Sequence, residues 1–336
     1  MPRSTIDVGG SRPLLDLVSF GRKGPGCRDR LSSVDIEHIR RTVDRTPEVM
    51  VKVLSKGGQD AKAVRRHLDY LSRRGDLELE TDDGERIAGK DPQKALLEDW
   101  GLEMYEDRRR SGLLPREERR PPKLVHKLMF SMPAGTPADK VLQAVRNFAN
   151  DEFALKHRYA MVLHSDEPHP HVHLVVKAVS EQGERLNIRK ETLRHWRTKF
   201  ARHLRALGVP ANATERAVRG ETRGAKLDGI YRAMRRGESS HMTSRAFEVA
   251  DALVQGRVMR EAGMAKLIET RSEVVRGWAR VGELLSQQGE SELSHQVRDF
   301  VSRFLPPHTE RELIAAQLSR ELVERRARSM SRQGGR

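Results

Sequence analysis

The chain has 336 residues, of which 37% are apolar and only 4% aromatic, and a formal net charge of +15. That length allows a sizeable core in one or two domains, and the positive excess favours a polyanionic partner, nucleic acid or an anionic surface. No apolar run approaches the roughly 18 residues needed to span a bilayer, the first residues lack a signal-peptide core, and Cys27 alone excludes an internal disulfide or a multi-cysteine zinc site; a cytoplasmic protein without membrane insertion is expected.

Residues 1–46 are rich in Gly, Pro, Ser and Arg with little periodicity, and read as a flexible basic extension. EVMVKVL at 48–54 predicts a strand. Residues 60–74 predict a helix that Asp60 caps and Gly75 ends, with Val64, Leu68 and Leu71 facing inward. A short strand at 77–80 and an acidic turn at 82–84 follow. A second helix is expected over 91–107, with Leu96, Leu97, Trp100 and Met104 on one side. The charged, proline-bearing stretch 108–123 reads as an exposed loop.

A strand at 124–132 leads into a helix capped by Thr136 or Asp139, with Val141, Val145 and Phe148 inward. Two strands, 159–163 and 171–177, then a turn at 180–184 and a helix over 189–207 complete this part. The order does not alternate as in a doubly wound parallel sheet; it predicts α+β, an antiparallel sheet with helices packed on one side. From residue 224 the pattern is helical, with Phe247, Ala250, Leu253, Val254 and Val258 as one stripe and helical spacing again over 267–285 and 313–322. The expected division is an extension (1–46), a catalytic domain (47–225) and a helical C-terminal region with a basic tail (226–336).

The stretch HSDEPHPHVHLVVK at 164–177 concentrates the chemistry. Side chains alternate along a strand, so His171 and His173 project to one face. His164 ends the preceding strand, and a polar, proline-containing turn brings it beside them. Any one histidine of the 13 in the chain has an ordinary surface or turn role; three that converge point to a metal site. Imidazoles suit zinc, manganese, iron or nickel, and three protein ligands leave coordination positions open, as in catalytic sites. Asp166 and Glu167 are candidates to orient a ring nitrogen, and His169 for a DNA contact or a hydrogen bond.

Tyr70 lies about 120° around the first helix from its buried face, at ~100° per residue. Its helical neighbours are Arg66, His67, Arg73 and Arg74, cations that would favour a phenolate and hold a phosphate. Combined with a metal, it is a candidate nucleophile for phosphodiester transfer. Ser131 has only the bland reading of a serine closing a strand-end turn. Arg216, Arg219 and Arg223 surround Gly220, and read equally as a solvated face or a phosphate clamp.

These residues together carry a family resemblance. The histidine stretch resembles the metal motif of the relaxase/mobilisation nucleases, which nick plasmid DNA at an origin of transfer. HLDYLSRRGDLELE at 67–80 is similar to the nucleophile motif of their P-type branch, to which T-DNA border nickases belong, and KLMFSMPAGTP at 127–137 to the intervening serine motif. The resemblance spans about residues 48–225. It implies an HUH relaxase-like fold, a five-stranded antiparallel sheet with flanking helices. Tyr70 would attack the phosphate and form a 5′-phosphotyrosyl link, Ser131 would hold DNA near the nick, and His164, His171 and His173 would bind the cation with Asp166 or Glu167 in support. The implied cofactor is Mn2+ or Mg2+, manganese agreeing best with imidazole ligands. The implied partners are single-stranded or supercoiled origin-of-transfer DNA, relaxosome accessory proteins and a type IV coupling protein. Two other readings remain open from the residues: a metal-dependent phosphodiesterase that uses water, and a non-catalytic DNA-binding accessory protein.

Overall fold

In YAMVLH the apolar residues fall on both alternating sets of positions, the pattern of a strand covered on two faces, whereas VHKLMFS and HVHLVVK mix polar residues into the alternation. The computed structural model, which describes residues 3–5, 30–54, 58–89, 92–112, 123–221, 237, 240–257 and 263–333, pairs them side by side. Two units result: Met1–Leu15 with Asp44–Ala213, and Asp16–Val43 with Thr214–Arg336.

In the first unit the elements run β1 (Arg3–Thr5), β2 (Met50–Leu54), α2 (Ala61–Leu71), β3 (Leu79–Thr81), β4 (Arg86–Ile87), α3 (Pro92–Asp99), α4 (Leu102–Arg110), β5 (Val125–Ser131), α5 (Ala138–Phe153), β6 (Tyr159–His164), β7 (His171–Lys177), β8 (Arg185–Asn187) and α6 (Lys190–Ala206); α1 (Ser33–Val43) lies in the other unit. The main sheet has six strands in the order β2-β5-β7-β6-β3-β4, every neighbouring pair antiparallel. The α+β expectation holds, with one short strand more than the five expected. β1 and β8 form a separate parallel pair.

Helices cover both faces of the sheet, which corrects the one-sided packing expected. Leu128, Phe130, Val172, Leu174 and Met161 point to one face and bury against α5 and α6 through Phe148, Phe153, Trp196 and Phe200. The aromatic rings meet at tilted or edge-on angles, Phe130–Phe148 at 4.8 Å and Phe153–Trp196 at 5.6 Å between centroids; such pairs add about 0.5–1.5 kcal/mol each beyond the area they bury. Glu152, buried between α5 and α6, accepts from Trp196 Nε1 at 2.9 Å and Lys199 Nζ at 2.6 Å. On the opposite face Val125, Ala160, Val162 and Val175 pack against Val64, Leu68 and Leu71 of α2 and Leu96, Leu97 and Trp100 of α3.

Two local expectations fail for identifiable reasons. The helix over 91–107 is broken at Gly101, whose φ of 60° is left-handed, and Met104 beyond the break is exposed. Neither Thr136 nor Asp139 caps α5: Pro137 stands at the N-cap, and Thr136 Oγ1 donates instead to the Pro133 carbonyl at 2.8 Å.

The second unit is helical: α1 (Ser33–Val43), α7 (Ser240–Val254), α8 (Met264–Gln287), α9 (Ser291–Ser302) and α10 (Glu310–Gln333). The stretch read as an aperiodic extension thus contains α1, opened by reciprocal bonds between Ser32 and Asp35. The Gln288 amide clamps the backbone of Leu31 from both sides, at 2.8 and 3.0 Å. α8 and α9 pack through Trp278, Val281, Leu285, Val297 and Phe300. On α7 the buried positions are Val249 and Ala252, whereas Phe247, Leu253 and Val254 of the expected stripe are exposed; Val258 lies outside the described residues. None of the described helices is long and apolar enough to cross a membrane.

Candidate active site

Register builds the site. Ser131 of β5 pairs with His171 of β7, and His171 pairs in turn with His164 of β6, so three side chains stand in one row across the sheet. His173, two residues along β7, projects to the same face, between Met129 and Val162. This face is the one that α2 covers.

The imidazoles of His164, His171 and His173 converge, with ring centroids 4.9 to 5.2 Å apart. One nitrogen from each lies within 4.8 Å of the others, a spacing that a single cation can bridge. His164 and His173 are buried and His171 sits at the rim. Burial holds the His173 ring down to about 3, with the neighbouring His164 and His171 adding to the effect. Burial also lowers His164, against the opposing pull of its hydrogen bond to Leu71. Both rings are therefore neutral near pH 7, the form that ligates a metal.

Backbone carbonyls set two of the tautomers. His164 Nε2 lies 2.8 Å from the Leu71 carbonyl and His171 Nδ1 lies 3.0 Å from the His169 carbonyl. A carbonyl only accepts, so these nitrogens carry the hydrogen and leave His164 Nδ1 and His171 Nε2 as the lone-pair atoms. The donor set fits a divalent transition cation: three imidazoles, two of them oriented from behind.

α2 brings the tyrosine. Asp60 caps the helix by accepting from Ala63 N at 2.7 Å, and Val64, Leu68 and Leu71 bury its inner face, which leaves Tyr70 59% exposed on the flank. Arg73 lies just beyond the helix end. Its Cζ stands 5.9 Å from the Tyr70 ring centroid, and its terminal nitrogen is 2.5 Å from Asp166 Oδ2.

Asp166, expected beside a histidine ring, is thus paired with Arg73, while backbone carbonyls orient His164 and His171. Glu167 and His169 are exposed in the loop between β6 and β7. Ser131 is nearly buried, with a long 3.4 Å contact from its Oγ to the Met132 carbonyl. Arg66 and Arg74 are exposed. Arg216 and Arg219 belong to the second unit, where Arg216 is exposed and the Arg219 guanidinium bonds the Thr214 carbonyl at 2.6 Å and Glu221 at 3.0 Å. Arg223 lies outside the described residues.

His67 is closer to the metal face than a DNA-contact reading implies. Its ring meets that of His173 edge-on at 6.5 Å, and burial, reinforced by Lys127, lowers it to about 4. The signal for this was present in the spacing: His67 precedes Leu71 by four residues, which puts it on the buried side of the helix.

Residues 90–209 match the family model described as Relaxase: MobA/VirD2-like, nuclease domain. The resemblance carried by the motifs is thereby borne out. The relaxase-like segment holds Ser131 and all three histidines, and starts after Tyr70. Three relatives, each called T-DNA border endonuclease VirD2, are similar over longer stretches. The protein of Agrobacterium fabrum is 27% identical over 219 residues, 61% of this chain and 47% of its own length. That of Rhizobium radiobacter is 27% identical over 52% of this chain and 43% of its own length, and that of Rhizobium rhizogenes 28% identical over 56% and 42%. The chain therefore spans less than half the length of each of these relatives.

Proposed function

We propose that the chain is a conjugative DNA relaxase that nicks one strand at an origin of transfer and later rejoins it. The observation that carries this reading is the bond from His164 to the carbonyl of Leu71, which ties a three-histidine cluster to the helix end where Tyr70 stands. The relaxase-like match over residues 90–209 and the net charge of +15 support it.

The Tyr70 oxygen attacks the scissile phosphorus. A phosphotyrosyl bond forms, the bond to the 3′ oxygen breaks with its electron pair leaving on that oxygen, and the oxygen takes up a proton while the phenol loses one. The ester conserves the energy of the broken linkage, so the free 3′-hydroxyl reverses the step and reseals the strand without ATP. Arg73 and Arg74 neutralise charge on the phosphate, and Ser131 holds the strand beside His171. His164, His171 and His173 would hold a divalent cation, Mn2+ in preference to Mg2+, which when bound would supply positive charge to the phosphate. Origin-of-transfer DNA, relaxosome accessory proteins and a type IV coupling protein are the partners that this reading brings with it.

The test is incubation with single-stranded origin DNA and Mn2+, followed by a denaturing gel. The wild type forms a covalent protein–DNA adduct and Tyr70→Phe forms none while still binding DNA. An adduct with Tyr70→Phe overturns the nucleophile assignment. Free 5′-phosphate ends at the earliest times, without an adduct, identify water as the attacking group, and binding without cleavage under any metal identifies an accessory protein.

A further inference from the structure

Arg73 and Arg74 have φ of 52° and 62°, and Gly75 follows at 96°. Residues with a Cβ avoid this left-handed region, so such a run persists only where the surroundings hold it. Here Leu71 is held from the sheet by His164, the Ser72 N–H donates to the Leu68 carbonyl at 2.9 Å, and the Gly75 carbonyl accepts from Gly89 at 3.3 Å. The outcome of this unfavourable turn is a single placement. The Arg73 guanidinium lies against the Tyr70 ring and bonds to Asp166 in the loop between the first and second histidines of the cluster.

A carboxylate and a phosphodiester offer a guanidinium the same thing, a pair of anionic oxygens in a fork. In the free protein Asp166 supplies it. Side-chain exposures of 40% for Arg73 and 57% for Asp166 leave the pair open to water, where such pairs are weak and exchange with an incoming anion is easy.

We propose that Asp166 is a positioning residue that acts through Arg73: it keeps the guanidinium beside Tyr70 in the free protein and gives it up to a phosphodiester of single-stranded DNA. The purpose of this exchange rests on the reading of Tyr70 as nucleophile, whereas the exchange itself does not. Before DNA arrives the loop carboxylate stands where a phosphate will stand, and the strained turn keeps the arginine from swinging into solvent.

The experiment is a double-mutant cycle on DNA affinity, read by fluorescence anisotropy of a labelled single-stranded oligonucleotide at low salt, with full-length protein and a chelator so that binding alone is measured. Asp166→Asn tightens binding about 3- to 10-fold, and in an Arg73→Ala background the same change has less than about a twofold effect. Asp166→Glu, which restores the carboxylate, returns the affinity to within about twofold of wild type. An equal gain with and without Arg73 means plain charge repulsion and overturns the proposal, as does weaker binding by Asp166→Asn. Arg73→Lys, which keeps the charge and loses the fork, replaces Arg73→Ala if the latter does not fold. Adduct formation with Mn2+ is scored on the same proteins. Coupling without a wild-type adduct removes the strand-transfer reading and leaves the exchange standing; an adduct without coupling does the reverse.

Discussion

His164 and Leu71, 93 residues apart in the chain, share a 2.8 Å hydrogen bond between an imidazole and a carbonyl. The bond makes the last turn of the Tyr70 helix and one corner of the histidine cluster a single unit. Loss of His164 therefore damages the metal-free protein as well as the cluster. His164→Ala is expected to cost about 2 kcal/mol of stability, from a buried ring and an orphaned carbonyl. His171→Ala, at the rim, costs under about 1 kcal/mol. Urea denaturation of the two metal-free variants measures the difference, and equal costs would count against the coupling.

Removal of a ligand is expected to separate metal affinity from folding. His173→Ala weakens Mn2+ binding by at least about 100-fold, beyond the 10–100-fold typical of an outer partner. Wild-type protein at a Mn2+ concentration about 100 times its Kd gains about 2.7 kcal/mol of stability, and the variant gains no more than about 0.4 kcal/mol. Titration calorimetry and thermal melting in the presence of the ion read the two quantities independently.

Acid should destabilise the metal-free fold through histidines that stay neutral in it. His126, whose Nε2 bonds the Leu186 carbonyl at 3.1 Å, is lowered to about 4 by burial, with the Lys123 charge adding to it. The unfolded chain takes up that proton near the ordinary 6.5. Between about 6.5 and 4 the unfolded state binds more protons at this group, so its contribution to stability falls as pH falls through this window and is constant below it. His67 contributes in the same direction. Urea midpoints between pH 7 and 4 check the sign, and His126→Gln gives a shallower profile.

Gly75→Ala is expected to be among the more damaging single-methyl changes. A Cβ at this position meets the Gly89 carbonyl oxygen at 1.9 Å, and φ is 96°. Clash and conformation together cost about 2 kcal/mol or more. Because Gly75 ends the turn that places Arg73, single-strand DNA affinity falls as well, whereas Gly84→Ala, in open space at a similar φ of 85°, costs only about 1 kcal/mol.

The histidine cluster was legible because period-two alternation and a turn of known residue types are local properties. The cap at Asp60 and the inward face of α2 were legible for the same reason. The two-sided covering of the sheet was written in β6, where Tyr159, Ala160, Met161 and Val162 are all buried, yet it competes with a reading based on element order alone. α1 was hidden because its buried face consists largely of Asp35, His38 and Thr42, with Ile39 as its apolar member; His38 and Thr42 bond Thr214 at 3.0 and 3.1 Å instead of forming an apolar stripe. The placement of Arg73 over Tyr70 was not legible, because nothing in the residue type announces a left-handed arginine.

The clamp between Leu31 and Gln288 sets an order of assembly. The two residues are 257 positions apart, so α1 leaves the ribosome long before its partners on α8 and α9 exist. At about 5–20 residues per second the delay is roughly 10 to 50 s. During that interval the continuous stretch Asp44–Ala213, with the whole six-stranded sheet, is already complete and free to fold. The helical unit closes last, on a helix that was made first.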